Sequence, residues 1–154
     1  GATLKWPNDL VPAGRKLGGI LVEATPDSAG AAVVCGVGVN TRLPEAIRAR
    51  IAQPVTDVAA IAPAPPTRSA LLAALLGELA GSLERFALHG FAAFRDDWLL
   101  RHAHQGMQVR VTLADARAAE GRAVGVDEQG ALLVETATRI ERFHSGEVSL
   151  RAVA

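Results

Sequence analysis

Lys5, Asn8, Asp9 and Lys16 set two ammonium groups, an amide and a carboxylate within twelve residues near the start of the chain. The second lysine leads into Gly18-Gly19 and the apolar run Ile20-Leu21-Val22, the pattern of an anion site beside a strand. Glycines at 18 and 19 lack Cβ atoms, which lets a ligand lie against the strand backbone. An apolar ligand body can rest on Gly18, Gly19 and Ile20 while its carboxylate or phosphate faces lysine. Asn8 can donate to phosphate through its amide, and Asp9 can hold magnesium directly or through water. Each residue also has an ordinary explanation: Asn8-Asp9 as an Asx-turn, Lys16 as a solvated turn lysine, Lys5 as half of a cross-strand ion pair.

The neighbouring residues supply a sheet to carry these groups. Pro7 cannot extend a ladder and Asn8-Asp9 favours a turn, so a strand over residues 2–6 should end there, followed by strands over 17–25 and 31–40. The first connection, residues 7–16, reads as a hairpin loop, and successive strands of this kind pair antiparallel. Apolar content at Ile20-Leu21-Val22 and Val33-Val34-Cys35 predicts burial on both strand faces, with helices over one, which favours α+β over a doubly wound sheet.

Lys5-Trp6-Pro7-Asn8-Asp9, followed by Arg15-Lys16-Leu17-Gly18-Gly19-Ile20-Leu21-Val22-Glu23, resembles the central catalytic segment of biotin–protein ligases. Those enzymes activate biotin with ATP and transfer it to a lysine of a carrier protein. Two further stretches stand in the family's order, Gly36-Val37-Gly38-Val39-Asn40 and Gly146-Glu147-Val148-Ser149-Leu150-Arg151. The resemblance implies that Lys16 meets both the biotin carboxylate and the α-phosphate, where its charge would offset charge developing during attack on phosphorus. Lys5 would neutralise another phosphate oxygen, and Asn8 and Asp9 would meet phosphate and magnesium. Gly36 and Gly38 would form a wall of the biotin pocket, Asn40 would approach the adenylate, and Arg151 would help a C-terminal module complete the ATP and carrier sites. Outside the resemblance, Gly36-x-Gly38 lacks the third glycine of a dinucleotide fingerprint and the lysine of a P-loop, and a close-packed strand explains it. Asn40 is then a turn former and Arg151 a solvated terminal arginine.

The implied fold is α+β: a mixed, mainly antiparallel sheet packed with helices, similar to class II aminoacyl-tRNA synthetases, followed by a small SH3-like β-barrel. The implied ligands are biotin, ATP and magnesium, and the implied partner is a biotin carboxyl carrier protein; a homodimer stays open. Family members also carry an upstream loop of the form Gly-Arg-Gly-Arg-x-Gly, which has no counterpart in this sequence. The chain is therefore expected to be the C-terminal portion of a ligase. Two readings compete with biotin ligation: a lipoate ligase-like transferase, whose fold is related, and a fragment that keeps one wall of the biotin pocket without catalysing.

Composition narrows the alternatives. Sixteen basic residues balance sixteen acidic ones, which gives no electrostatic reason to expect nucleic-acid binding. The single cysteine, Cys35, excludes an internal disulfide and a multi-cysteine zinc site, and reads as a small core residue. No apolar run approaches the roughly 20 residues of a membrane span and nothing at the start resembles a signal peptide, so a cytoplasmic protein is expected. His89, His102, His104 and His144 show no metal-ligand pattern, with His102 and His104 read as solvated linker positions, and no Gly-x-Ser-x-Gly elbow occurs.

Beyond the third strand, residues 42–53 and 55–61 read as short helices, and Ala62-Pro63-Ala64-Pro65-Pro66 stops the pattern. Thr67 is a candidate N-cap for a long helix in which Leu71, Leu72, Leu75, Leu76, Leu79, Leu83 and Phe86 recur at helical spacing, with Gly90 as its stop. Phe91, Phe94 and Trp98 form a second stripe, and both stripes are expected to be core. Strand-like runs follow at 107–113, 121–126, 131–135, 138–143 and 148–150, with Asp127-Glu128-Gln129-Gly130 as a tight turn. They predict a small barrel, marginal in stability by itself. The expected division is residues 1–103 for the catalytic domain and 104–154 for the module.

Overall fold

The computed structural model describes residues 2–28, 30–113, 117–145 and 149–153. Gly146, Glu147 and Val148 of the C-terminal motif lie outside the described residues. The chain is α+β and divides into two compact units, residues 1–70 and 71–154. Among the described residues every strand pairing is antiparallel, with one isolated parallel bridge between Lys16 and Val55.

In the first unit, β1 (Leu4–Lys5), β2 (Asp9–Leu10), β3 (Gly18–Asp27) and β4 (Gly30–Val39) form one sheet in chain order. The connection over 7–16 is more than a hairpin loop. After a cis Trp6–Pro7 peptide the chain turns and returns as β2, which places Asp9 opposite Lys5 on one side and Gly19 on the other. A two-residue strand has no periodicity to read, so the sequence does not announce it. A 3₁₀ turn, Pro12–Gly14, then brings the chain to Lys16. Trp6, Val11, Leu17 and Val55 are the buried apolar residues among those described in this unit.

Burial of both faces of β3 and β4 is not what the structure shows. Leu21 is 60% and Val34 65% exposed, and Ile20, Val22 and Val33 are exposed as well; Cys35 is half-buried rather than core. Apolar content makes a strand fit for burial, but another element must supply the cover. The helices of this unit, α1 (Glu45–Arg48) and α2 (Val58–Ile61), are single turns, too short for that. They are shorter than expected: Pro44 stands as N-cap of the first, so that helix starts only at Glu45, while the second begins only at its cap, Asp57, whose Oδ1 accepts from Ala60 N at 2.8 Å.

The second unit takes most of α3 (Arg68–His89), then α4 (Ala92–Arg101) and a sheet of β5 (Gln108–Thr112), β6 (Ala118–Val126), β7 (Leu132–Glu135), β8 (Ile140–Phe143) and β9 (Ser149–Ala152), in the order β8-β7-β6-β5-β9. Thr67 Oγ1 caps α3 by accepting from Ala70 N, and Gly90 ends it at φ +63°. Leu72, Leu76, Leu83 and Phe86 are exposed, however, so the α3 stripe is not core. Helical periodicity tells which side chains share a face and is silent on whether that face has a partner. The second stripe is half-buried rather than core: Phe91, Phe94 and Trp98 are all partly exposed, with Phe91 beside Gly130 and the neighbouring Leu99 beside Gly125. Val109, Val111, Leu132, Val134 and Leu150 alternate inward to form the core of the sheet.

His102 is buried, not a solvated linker residue. It follows Trp98 by four positions, so it continues the half-buried stripe of α4, and the two rings stack with centroids 4.6 Å apart. No helix among the described residues is long and apolar enough to cross a membrane.

Candidate functional site

Over β3 and β4 lies an open cleft of about 730 Å³ whose lining includes Asn8, Asp9, Lys16, Gly18, Gly19, Ile20, Gly36, Gly38 and Asn40. Residues separated by up to 32 positions thus meet because β2 and β4 flank β3. Two of the residues singled out from the sequence are elsewhere. Lys5 stands opposite Asp9 in the β1–β2 ladder but does not line the cleft. Arg151 is an exposed residue of β9 in the second unit, opposite Arg110.

Lys16 Nζ lies 2.6 Å from Asp9 Oδ1, with the Asp9 side chain 14% exposed and that of Lys16 33%. The carboxylate that faces Lys5 across the ladder is therefore engaged by Lys16. Gly19 makes this possible: a Cβ there would lie 3.1 Å from Asp9 Oδ1 and 3.2 Å from Asn8 O. At Gly18 a Cβ would collide with the Gly38 carbonyl oxygen. The first glycine pair thus makes room for protein groups, and both residues also line the cleft. Gly36 and Gly38 differ, since a Cβ there would meet nothing closer than 3.6 Å and 3.9 Å. Their bare backbone leaves the cleft floor open.

The backbone of Lys16 is held from two sides. Its N–H donates to Pro54 O at 2.9 Å and its carbonyl accepts from Thr56 N at 3.0 Å. Asn40 Nδ2 donates to Thr56 O at 3.1 Å and to Lys16 O at 3.4 Å, while Asn40 N donates to Leu17 O. Asn40 therefore lines the cleft and also ties the end of β4 to the Lys16 loop.

Sequence reasoning missed a buried polar cluster behind this loop. Thr56 and Asp57 are buried. Asp57 Oδ2 accepts from Leu43 N at 2.9 Å and from Arg48 Nη2 at 2.7 Å. The Leu43 N–H, with those of Ala60 and the Arg48 charge, holds the Asp57 carboxyl below the usual carboxylate range against the opposing effect of burial. The available signal was Thr56-Asp57 immediately before an apolar run, a helix N-cap signature.

Among the described residues no group of three or more His, Cys, Asp or Glu could hold a metal ion by itself. The cleft lining contains one ammonium, one carboxylate, two side-chain amides, bare glycine backbone and aliphatic groups, with no serine, threonine or cysteine. Such a site can bind an anionic small molecule with an apolar body and stabilise charge on it; it offers no hydroxyl or thiol nucleophile.

Two family models match the chain in order: the Biotin/lipoate A/B protein ligase family over residues 2–40 and the Biotin protein ligase C terminal domain over residues 104–151. The chain is 35% identical over 154 residues to the bifunctional ligase/repressor BirA of Escherichia coli, covering 97% of this chain and 46% of that protein. It is 32% identical to the biotin–[acetyl-CoA-carboxylase] ligase of Mycobacterium tuberculosis, with 94% of this chain and 52% of the relative covered. The chain spans about half the length of these curated relatives. Its fold matches the apo biotin protein ligase of Aquifex aeolicus with a TM-score of 0.82 at 27% identity, over 99% of this chain and 66% of that one. The same ligase in complex with biotin and ATP matches with a TM-score of 0.81, over 99% and 62%. Family models for both ends, relatives aligned along nearly the whole chain and a shared fold together place this chain in the biotin protein ligase family.

Proposed function

We propose that the protein is an ATP-dependent biotin–protein ligase, which forms biotinyl-5′-AMP and passes biotin to a lysine of a biotin carboxyl carrier protein. The observation that carries this reading is the Lys16 ammonium in a glycine-floored cleft, with Asp9 in ion-pair contact. The Aquifex aeolicus relative, whose complex holds biotin and ATP, supports both as ligands.

In the first step a biotin carboxylate oxygen attacks the α-phosphorus of ATP, the bond to the bridging oxygen breaks, and pyrophosphate leaves. In the second, the carrier lysine amine attacks the mixed anhydride carbonyl, AMP departs with the electron pair, and the nitrogen loses a proton. Lys16 stabilises charge building on the phosphoryl oxygens in the first step. Asn8 serves other phosphate oxygens, with Lys5 adding positive charge from β1 outside the lining, Asn40 serves the adenylate, and Gly36, Gly38 and Ile20 form the wall beside biotin. Asp9 suits magnesium, since it is the one carboxylate in the lining and nucleotide-bound magnesium takes only one or two protein carboxylates beside phosphates and water. Magnesium held there would neutralise phosphate charge.

In the same reading residues 1–103 form the catalytic domain and 104–154 an SH3-like module, with Arg151 serving the ATP or carrier step in a cytoplasmic protein. The edge position of β4 and the exposed aliphatic groups of β3 and β4 support pairing between copies.

Pyrophosphate release with MgATP, measured separately with biotin and with lipoic acid, tests the proposal, followed by transfer to a carrier domain. Biotin-dependent release is expected. Release with lipoic acid alone would move the assignment to lipoate ligation, and tight binding of biotinyl-adenylate without turnover would leave only a binding fragment.

A further inference from the structure

We infer that Asp57 is a positioning residue for Lys16, acting through Arg48 and the backbone of residues 54–56; this rests on the role given to Lys16 above. Lys16 precedes β3, so its backbone is held not by the main ladder but by an irregular segment. Pro54 O and Thr56 N take its two peptide groups, with Val55 bridged alongside. The segment is pinned in turn by Arg48, whose Nη1 donates to Val55 O at 3.1 Å and whose Nη2 donates to Asp57 Oδ2 at 2.7 Å.

The Asp57 side chain is 4% exposed, and both its oxygens are engaged by Leu43 N, Ala60 N and Arg48. All three are donors, so only a group with two accepting oxygens satisfies them. That leaves Arg48 one place to sit and residues 54–56 one path. Thr56 is fully buried, and Asn40 closes the far side of the loop through Thr56 O and Lys16 O. Neither Asp57 nor Arg48 lines the cleft, so their influence on bound reactants arrives through the placement of Lys16.

The test is Asp57→Asn, which keeps the shape but turns an NH₂ toward at least one donor in a buried place. Expected is a fall in kcat for pyrophosphate release of roughly 10- to 100-fold in a folded protein, since a displacement of about 1 Å costs on that order, with KM for biotin little changed. In a Lys16→Ala background the same substitution should add no further loss, because the group it positions is gone. Wild-type kcat in folded Asp57→Asn, or losses that multiply in full with Lys16→Ala, would overturn the inference while leaving Lys16 in its role. Wild-type kcat in Lys16→Ala would instead remove that role and the inference with it. Should Asp57→Asn fail to fold, Arg48→Gln carries the same test, its side chain being 30% exposed; unchanged kcat there is equally fatal.

Discussion

Lys16 Nζ and Asp9 Oδ1 sit 2.6 Å apart because a two-residue strand, β2, is inserted between the outer strand β1 and the glycine-bearing start of β3. The two opposite charges of the pair offset one another. A bound anion or a cation must therefore compete with a contact already made, which ties ligand affinity to the geometry of β2.

Lys16→Ala should lower adenylate formation by roughly 10²–10³, the effect of losing one strong oxyanion donor from an active site. Lys16→Arg should not restore it, because a planar guanidinium presents different donor geometry from an ammonium. Pyrophosphate release, with circular dichroism to confirm folding, is the measurement. Near-normal release from Lys16→Ala would exclude the assigned role.

The glycines separate into two kinds. Gly18→Ala forces β3 and β4 apart at the Gly38 carbonyl and should cost about 1–3 kcal/mol, as overpacking does. Gly38→Ala, with its nearest neighbour at 3.9 Å, should leave stability nearly unchanged while a methyl group enters the cleft and weakens biotinyl-adenylate binding. Denaturant unfolding and calorimetry on both variants decide this; equal destabilisation by the two would contradict the packing.

Leucines distinguish core from periodicity. Leu132, fully buried in β7, should lose about 2–5 kcal/mol on replacement by alanine. Leu76, 56% exposed on α3, should change stability by no more than about 0.5 kcal/mol. A large cost at Leu76 would show that the α3 face is covered in solution.

Burial lowers the His102 pKa from its ordinary 6.5, with the nearby His104 acting in the same direction and the Gln105 hydrogen bond opposing them. Its Nδ1 faces Gln105 Oε1 at 3.4 Å, and its Nε2 is buried with no hydrogen-bond partner among the described residues. The unfolded chain then takes up a proton near pH 6.5 that the folded unit refuses. Stability from this group is complete above that pH and declines as pH falls below it, toward the depressed folded value. Unfolding midpoints of the wild type should drop over that window, and His102→Phe, which keeps an aromatic ring against Trp98, should flatten the drop. An identical pH profile in the variant would rule the histidine out.

Most of the candidate site residues were legible in the order of residues because their signals are local. Lys5, Asn8, Asp9 and Lys16 are close in sequence, a glycine pair opens a β run, and Thr67 and Gly90 bracket a helix with side-chain and backbone features that act within a few residues. The same locality made the five C-terminal strands and the Asp127 turn readable.

Tertiary structure alone decided which of these groups meet. Asp9 pairs with Lys16 and not Lys5, Gly18 and Gly19 make room for Gly38 and Asp9, and Asn40 ties down the Lys16 loop, all through strand neighbours that no local pattern specifies. Asp57 and Arg48 stayed hidden because their partners lie across loops of irregular path. Burial ran the other way: His102 is enclosed while the leucines of α3 and the valines of β3 and β4 are exposed. Side-chain character sets the free energy that covering a surface would release, and only the three-dimensional arrangement determines whether anything covers it.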